Sequence, residues 1–82
     1  MSQPWKAEDF EQWFVGRVSG ALSVPAAEID VDAPFLEHGL DSVATLQMTG
    51  ELEQLTGTPL PATLLFEYPT IAALSRYLSS AP

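Results

Sequence analysis

Apolar residues at three- and four-residue steps mark the first element. Phe10, Phe14, Val18, Ala21 and Leu22 recur between about Lys6 and Leu22, the spacing of a helix with one buried face. Glu8, Asp9 and Glu11 fall in its first turns, where negative charge suits the helix dipole. Trp13 and Val15 lie off the stripe, so either one of them is partly exposed or the buried face is wider than the stripe. Met1 to Pro4 reads as a loose leader, with Trp5 packing back onto the domain.

From Ser23 to Leu36 the period disappears and Pro25 and Pro34 intervene. This predicts a long loop, a feature that in small domains is functional or pinned by its own apolar residues. Ile29, Val31, Phe35 and Leu36 are the candidate pins, with Glu28, Asp30 and Asp32 left in water and a short helical turn after Pro34. A second helix is predicted from about Ser42 to Leu55, opened by Asp41 as N-cap and stopped near Gly57. Thr45, Met48, Leu52 and Leu55 form its inward stripe. Val43, Leu46 and Gly50 form a neighbouring strip beside Gln47, Glu53 and Gln54, which is either a docking surface or more core.

Pro61 suits a first helical position, predicting a turn or two that ends around Phe66. Tyr68-Pro69-Thr70 stops that segment, and Thr70 caps a last helix whose face is Ile71, Leu74, Tyr77 and Leu78 and which fades by Ser79. No β-alternation of useful length occurs. The pattern predicts an all-α, small four-helix bundle: three principal helices, a short helix before the last, and a long loop between the first two.

Composition narrows the role of that bundle. The 82 residues make one domain, 1–82, with an ordered core over about 6–79; a chain this small buries only about 60% of its unfolded-state surface. Without cysteine it has no disulfide, thiolate metal site or cysteine nucleophile. No apolar run reaches the roughly 20 residues needed to cross a bilayer, and the N-terminus does not begin like a signal peptide, so a soluble, cytoplasmic protein is expected. Three Lys/Arg against eleven Asp/Glu give a net charge of −8, and between Arg17 and Arg76 there is no fixed positive charge. Such a chain repels nucleic acid and anionic membranes. Its acidity either keeps the domain soluble or steers it toward basic protein patches.

The candidate chemistry sits where the second helix begins. In Gly39-Leu40-Asp41-Ser42-Val43, Gly39 permits a tight turn, and Ser42 occupies the helix's first turn. A hydroxyl there lies beside unpaired N–H groups and the positive end of the dipole, surroundings that favour a phosphate ester. On these residues alone, Ser42 is either a modification site or only a helix cap. A hydrolase reading of His38, Asp41 and Ser42 fails, because the serine is not in a Gly-x-Ser-x-Gly elbow and His38 is one helical turn upstream on a loop. An EF-hand beginning at Asp30 breaks at Pro34 and Phe35. No catalytic residue and no metal site are expected.

Glu37-His38-Gly39-Leu40-Asp41-Ser42-Val43 resembles the phosphopantetheine attachment motif of acyl carrier proteins. Leu52-Glu53-Gln54-Leu55-Thr56-Gly57, and then Leu60-Pro61-Ala62-Thr63 through Tyr68-Pro69-Thr70 to Leu74, are similar to the second half of polyketide-synthase carrier domains, in register over roughly residues 24 to 78. The resemblance implies a non-catalytic carrier with 4′-phosphopantetheine, taken from coenzyme A, covalently on Ser42, bearing acyl intermediates of polyketide or related fatty-acyl biosynthesis as thioesters. It also implies recognition by a phosphopantetheinyl transferase and by loading, condensing or acyl-transferring enzymes with basic docking patches, through Asp41, Val43, Leu46, Gln47, Gly50 and Glu53, with the carrier a monomer. Gln47 stands where modular polyketide carriers often have an acid, which leaves the expected charged contacts incomplete. Two other readings stay open: a peptidyl carrier, against which Asp41 stands where those domains commonly have His, and an unmodified acidic docking module.

Overall fold

The computed structural model describes residues 5–61 and 63–80, so the leader expected at 1–4 lies outside the described residues. Helix α1 spans Ala7–Leu22, α2 Ser42–Thr56, α3 Leu64–Glu67 and α4 Ile71–Ser80, with 3₁₀ turns at Ala26–Glu28 and Phe35–His38 in the long loop. The four-helix bundle expected from the pattern is the fold observed. No strand occurs among the described residues; Pro34 and Thr70 form an isolated antiparallel bridge.

Each helix starts and stops for a local reason. The Asp9 carboxylate reaches back to accept from the Lys6 N–H at 2.9 Å, which satisfies an orphan donor at the start of α1. That helix ends on Ser23 in the left-handed region (φ 57°), held there by Val24 N–H donating to the Ser19 carbonyl at 3.2 Å and the Ser19 hydroxyl donating to the Val24 carbonyl at 2.6 Å. Gly57 closes α2 with φ 69°, a conformation that glycine adopts without steric penalty. Thr70 caps α4 as expected, its Oγ1 accepting from Ala73 N–H at 3.1 Å.

One core draws on every helix and on the loop. Phe10, Phe14 and Val18 from α1, Met48 and Leu52 from α2, Leu64 and Leu65 from α3, and Ile71, Leu74 and Leu78 from α4 enclose Ile29, Phe35 and Leu40. The most extensive helix pairing is between α1 and α4. Trp5 folds back onto this core with its ring 5.2 Å from that of Phe10, while Trp13 and Val15 are both half-buried at its edge. Two backbone bonds tie the loop to the start of α4: Phe35 N–H to the Pro69 carbonyl at 2.8 Å and Ala72 N–H to the Val31 carbonyl at 2.9 Å. These ties leave no trace in hydrophobic spacing.

Several expected core positions lie elsewhere. Ala21 is exposed and only Leu22 turns partly inward, because the stripe advances by fours from Phe10 through Val18. Leu36 points outward beside the buried Phe35, and Leu55 is 40% exposed. The inward face of α2 is Thr45, Met48, Thr49 and Leu52. Extended by four from Leu52, that face reaches the half-buried Thr56, not Leu55. The threonines tolerate burial because each hydroxyl bonds within its own helix, Thr45 to the Ser42 carbonyl at 2.9 Å and Thr49 to the Thr45 carbonyl at 3.0 Å. The short α3 begins at Leu64, so Pro61 precedes the helix and its carbonyl accepts from Leu64 N–H at 3.1 Å. On α4, Ser75 takes the inward place expected of Tyr77, which stacks on Tyr68 with ring centroids 4.3 Å apart.

Ser75 is fully buried and its hydroxyl has no hydrogen-bond partner among the described residues. An unmatched buried hydroxyl costs about 1–3 kcal/mol, and alanine is the better helix former. Ser75→Ala should therefore raise stability by about 1 kcal/mol in urea or thermal unfolding, moving Tm up by roughly 4–8 °C. Phe14→Ala should cost about 3–5 kcal/mol. For a chain of this length that is a large fraction of its stability, about 4–12 kcal/mol, and circular dichroism should show a sharply lowered Tm.

Candidate functional site

The start of α2 is shaped by four consecutive residues with different tasks. Gly39 ends the second 3₁₀ turn at φ 98°, its N–H donating to the Leu36 carbonyl at 3.1 Å. A Cβ there would meet Leu22 at an ordinary 3.8 Å, so the backbone angle, and not crowding, calls for glycine. Leu40 is buried and anchors the turn to the core. Asp41 is extended, and its Oδ1 accepts from Ala44 N–H at 2.8 Å as N-cap. Ser42 follows as the first helical residue, exposed.

The cap matters for what Ser42 can hold. Asp41 satisfies the Ala44 N–H, which leaves the N–H groups of Ser42 and Val43 without an intrahelical acceptor. Their partial positive charge faces the solvent next to the serine hydroxyl. A phosphodiester carries a single negative charge and fits such a helix start. The nearby Asp41 carboxylate is already engaged as the cap, and Glu37, the other acid of the Glu37–Val43 stretch, is exposed. The residues present therefore fit a phosphate ester on Ser42. Among the described residues there is no group of three metal-ligating side chains.

The strip that was open between docking surface and core lies outside. Val43 is 61% and Leu46 52% exposed, so neither belongs to the core. Gln47 is exposed and Gly50 half-buried. Glu53 is half-buried, and its Oε2 accepts from Leu60 N–H at 2.9 Å, fastening α2 to the segment before α3. Glu51 is paired as well, across to α1, where Arg17 Nη2 donates to its Oε2 at 2.9 Å and Arg17 Nε to its Oε1. From Ser42 to Gly50 the helix carries no charge.

Leu36 and Phe66, each 58% exposed, were not singled out as surface residues by their spacing. Both line a cleft of about 80 Å³ between the second 3₁₀ turn, α2 and α3, whose walls include Phe35, Leu65 and Thr45. Thr45, whose hydroxyl bonds to the Ser42 carbonyl, is the lining residue contributed by α2. Spacing gave no signal for which of the pair is buried: in the one-turn α3 both Leu64 and Leu65 are buried, whereas in the second 3₁₀ turn Phe35 goes in and Leu36 out. His38, expected on a loop near the site, lies at the end of the 3₁₀ turn with Nε2 2.9 Å from the Asp30 carbonyl.

Known proteins share both the sequence and the shape. Residues 12–78 match the family model described as phosphopantetheine attachment site. The chain is 40% identical over 70 residues to polyketide synthase PksL of Bacillus subtilis (strain 168), covering 85% of this chain and 2% of that protein. The chain thus spans only a few per cent of the length of the curated relatives it matches. A free-standing peptidyl carrier protein from Acinetobacter baumannii superposes with a TM-score of 0.85 at 39% identity, covering 92% of this chain and 94% of that one. An acyl carrier protein from Anabaena sp. PCC 7120, with a variant phosphopantetheinylation-site sequence, gives 0.85 at 35% identity over 94% of this chain and 88% of that one. With a match over most of its length and relatives of the same shape, the chain belongs to the phosphopantetheine attachment-site family, the carrier domains that bear 4′-phosphopantetheine as a covalent group.

Proposed function

We propose that Ser42 is the attachment point and that the domain is an acyl carrier of polyketide or related fatty-acyl biosynthesis. The observation that carries this reading is the exposed Ser42 at an N-capped helix start inside Gly-Leu-Asp-Ser, flanked by uncovered apolar side chains. A phosphopantetheinyl transferase brings coenzyme A to this helix end. The Ser42 oxygen attacks the phosphorus next to the pantetheine, its proton passes to the transferase, and adenosine 3′,5′-bisphosphate leaves. The product is a phosphodiester whose far end is a thiol, the group this cysteine-free chain lacks. Acyl groups then ride on that thiol as thioesters, which are activated for transfer. The carrier itself contributes no catalytic group.

Partners come to the serine over a surface that is apolar at its centre. Val43 and Leu46 supply the contact, Asp41 and Gln47 the adjacent polar edge, and Gly50 lets a partner approach the helix closely. Glu53 takes part through whatever charge its bond to Leu60 N–H leaves available. The net charge of −8 steers basic docking patches toward the domain at long range. The domain works as a monomer in the cytoplasm; among its described residues no helix is long and apolar enough to cross a membrane. A peptidyl carrier is the second reading, favoured by the likeness to the Acinetobacter baumannii protein. The two part at loading, which an acyltransferase performs in the first case and an amino-acid-adenylating enzyme in the second.

Incubation with coenzyme A and a broad-specificity phosphopantetheinyl transferase should add one arm, seen by intact-protein mass. Ser42→Ala should abolish the gain while leaving the circular dichroism spectrum unchanged; an arm on the Ser42→Ala protein would place the site elsewhere. Leu46→Ala should lower kcat/KM for the transferase or a loading enzyme by roughly tenfold, the effect of truncating one central apolar contact. Gln47→Ala should stay within about twofold, as is usual for a polar residue at an interface edge.

A further inference from the structure

His38 and the Asp30–Asp32 run are separate in sequence, and neither takes part in the transfer step. The fold joins them. His38 Nε2 lies 2.9 Å from the Asp30 carbonyl oxygen. A carbonyl can only accept, so Nε2 carries the proton, and the neutral ring is the Nε2–H tautomer. The acceptor is itself held in place. Asp30 Oδ1 accepts from Asp32 N–H at 2.9 Å, and the next carbonyl, that of Val31, accepts from Ala72 N–H in the first turn of α4. His38 therefore ties the end of the second 3₁₀ turn to a stretch of loop already fixed to another helix. On its other side the chain runs through Gly39, Leu40 and Asp41 to Ser42, and of these only Leu40 is buried.

We propose that His38 is a positioning residue for modification of Ser42: its clasp on the Asp30 carbonyl holds the Gly39–Asp41 turn, and with it the hydroxyl, in the pose a transferase meets. The inference rests on Ser42 being the attachment point. Without the clasp, the turn retains the Leu40 anchor and the Asp41 cap, and its backbone opens more often. Small displacements of a reacting group slow group transfer steeply, and the net worth of one hydrogen bond corresponds to a factor of about 3–10.

The test follows arm transfer from coenzyme A by intact mass for the whole chain and for His38→Ala and His38→Gln, alongside amide hydrogen exchange, Tm and the histidine ring nitrogen spectrum. His38→Ala should lose about 3–10-fold in kcat/KM, a factor set by that bond, with faster exchange at the Asp41, Ser42 and Val43 amides and a Tm lowered by roughly 4–8 °C, the protein remaining folded at the assay temperature. His38→Gln, whose side-chain amide can donate to the same carbonyl, should recover most of the rate and the protection, and the neutral wild-type ring should carry its proton on Nε2. His38→Ala modified at the wild-type rate, His38→Gln as slow as His38→Ala, or a ring protonated on Nδ1 overturns the proposal. A wild-type protein that accepts no arm, or accepts it away from Ser42, overturns the attachment reading and this inference with it.

Discussion

The edge-on contact between Phe14 of α1 and Phe35 of the long loop, with ring centroids 5.7 Å apart, is the interaction on which the working end of the molecule depends. Both rings are almost wholly buried, so the pair contributes area as well as geometry to the core. Because Phe35 opens the second 3₁₀ turn, burying it fixes that turn against α1, and the turn delivers Gly39, Leu40 and Asp41 to the start of α2. The Phe35 N–H bond to the Pro69 carbonyl secures the same residue from the side of α4. A loop that would otherwise be free is thereby made part of the scaffold.

Placing the serine outward and keeping it there are separate problems, solved by different groups. The outward placement is local: Asp41 caps the helix through its own side chain, so Ser42 is not needed for that bond and its hydroxyl stays on the surface. The fixed placement is tertiary, resting on Leu40 in the core and on the loop stapled to α4. A carrier needs both. Its attachment point has to be reachable by several enzymes, yet presented on a backbone rigid enough for each to recognise.

The acidity of the chain takes on a different meaning once its partners inside the fold are known. Glu51 and Glu53, the two acids of α2, are occupied by Arg17 and by the Leu60 N–H. The exposed start of that helix is uncharged and apolar, with Leu36 and Phe66 extending the apolar surface across the adjoining cleft. Long-range charge can gather partners, and short-range apolar contact can select among them.

The helices, their order and the serine at the start of α2 were all legible in the amino-acid sequence, because each rests on a local signal. Phe10, Phe14 and Val18 repeat at helical spacing, Asp41 and Thr70 are capping types, and Gly39 and Gly57 meet a need for positive φ. What spacing could not decide was which member of an apolar neighbourhood turned inward. Leu36, Leu55 and Tyr77 read as core and lie at the surface, while Thr49 and Ser75, which spacing does not pick out, are buried. That choice belongs to the packing of helices and loop against one another: the Thr49 hydroxyl is bonded within its own helix, and the Ser75 hydroxyl is buried even without a partner among the described residues. The loop's bonds to α4 are decided at the same level: they join backbone atoms, which every residue has, and the His38 ring likewise ends on a backbone carbonyl, so the residue types do not announce the partners.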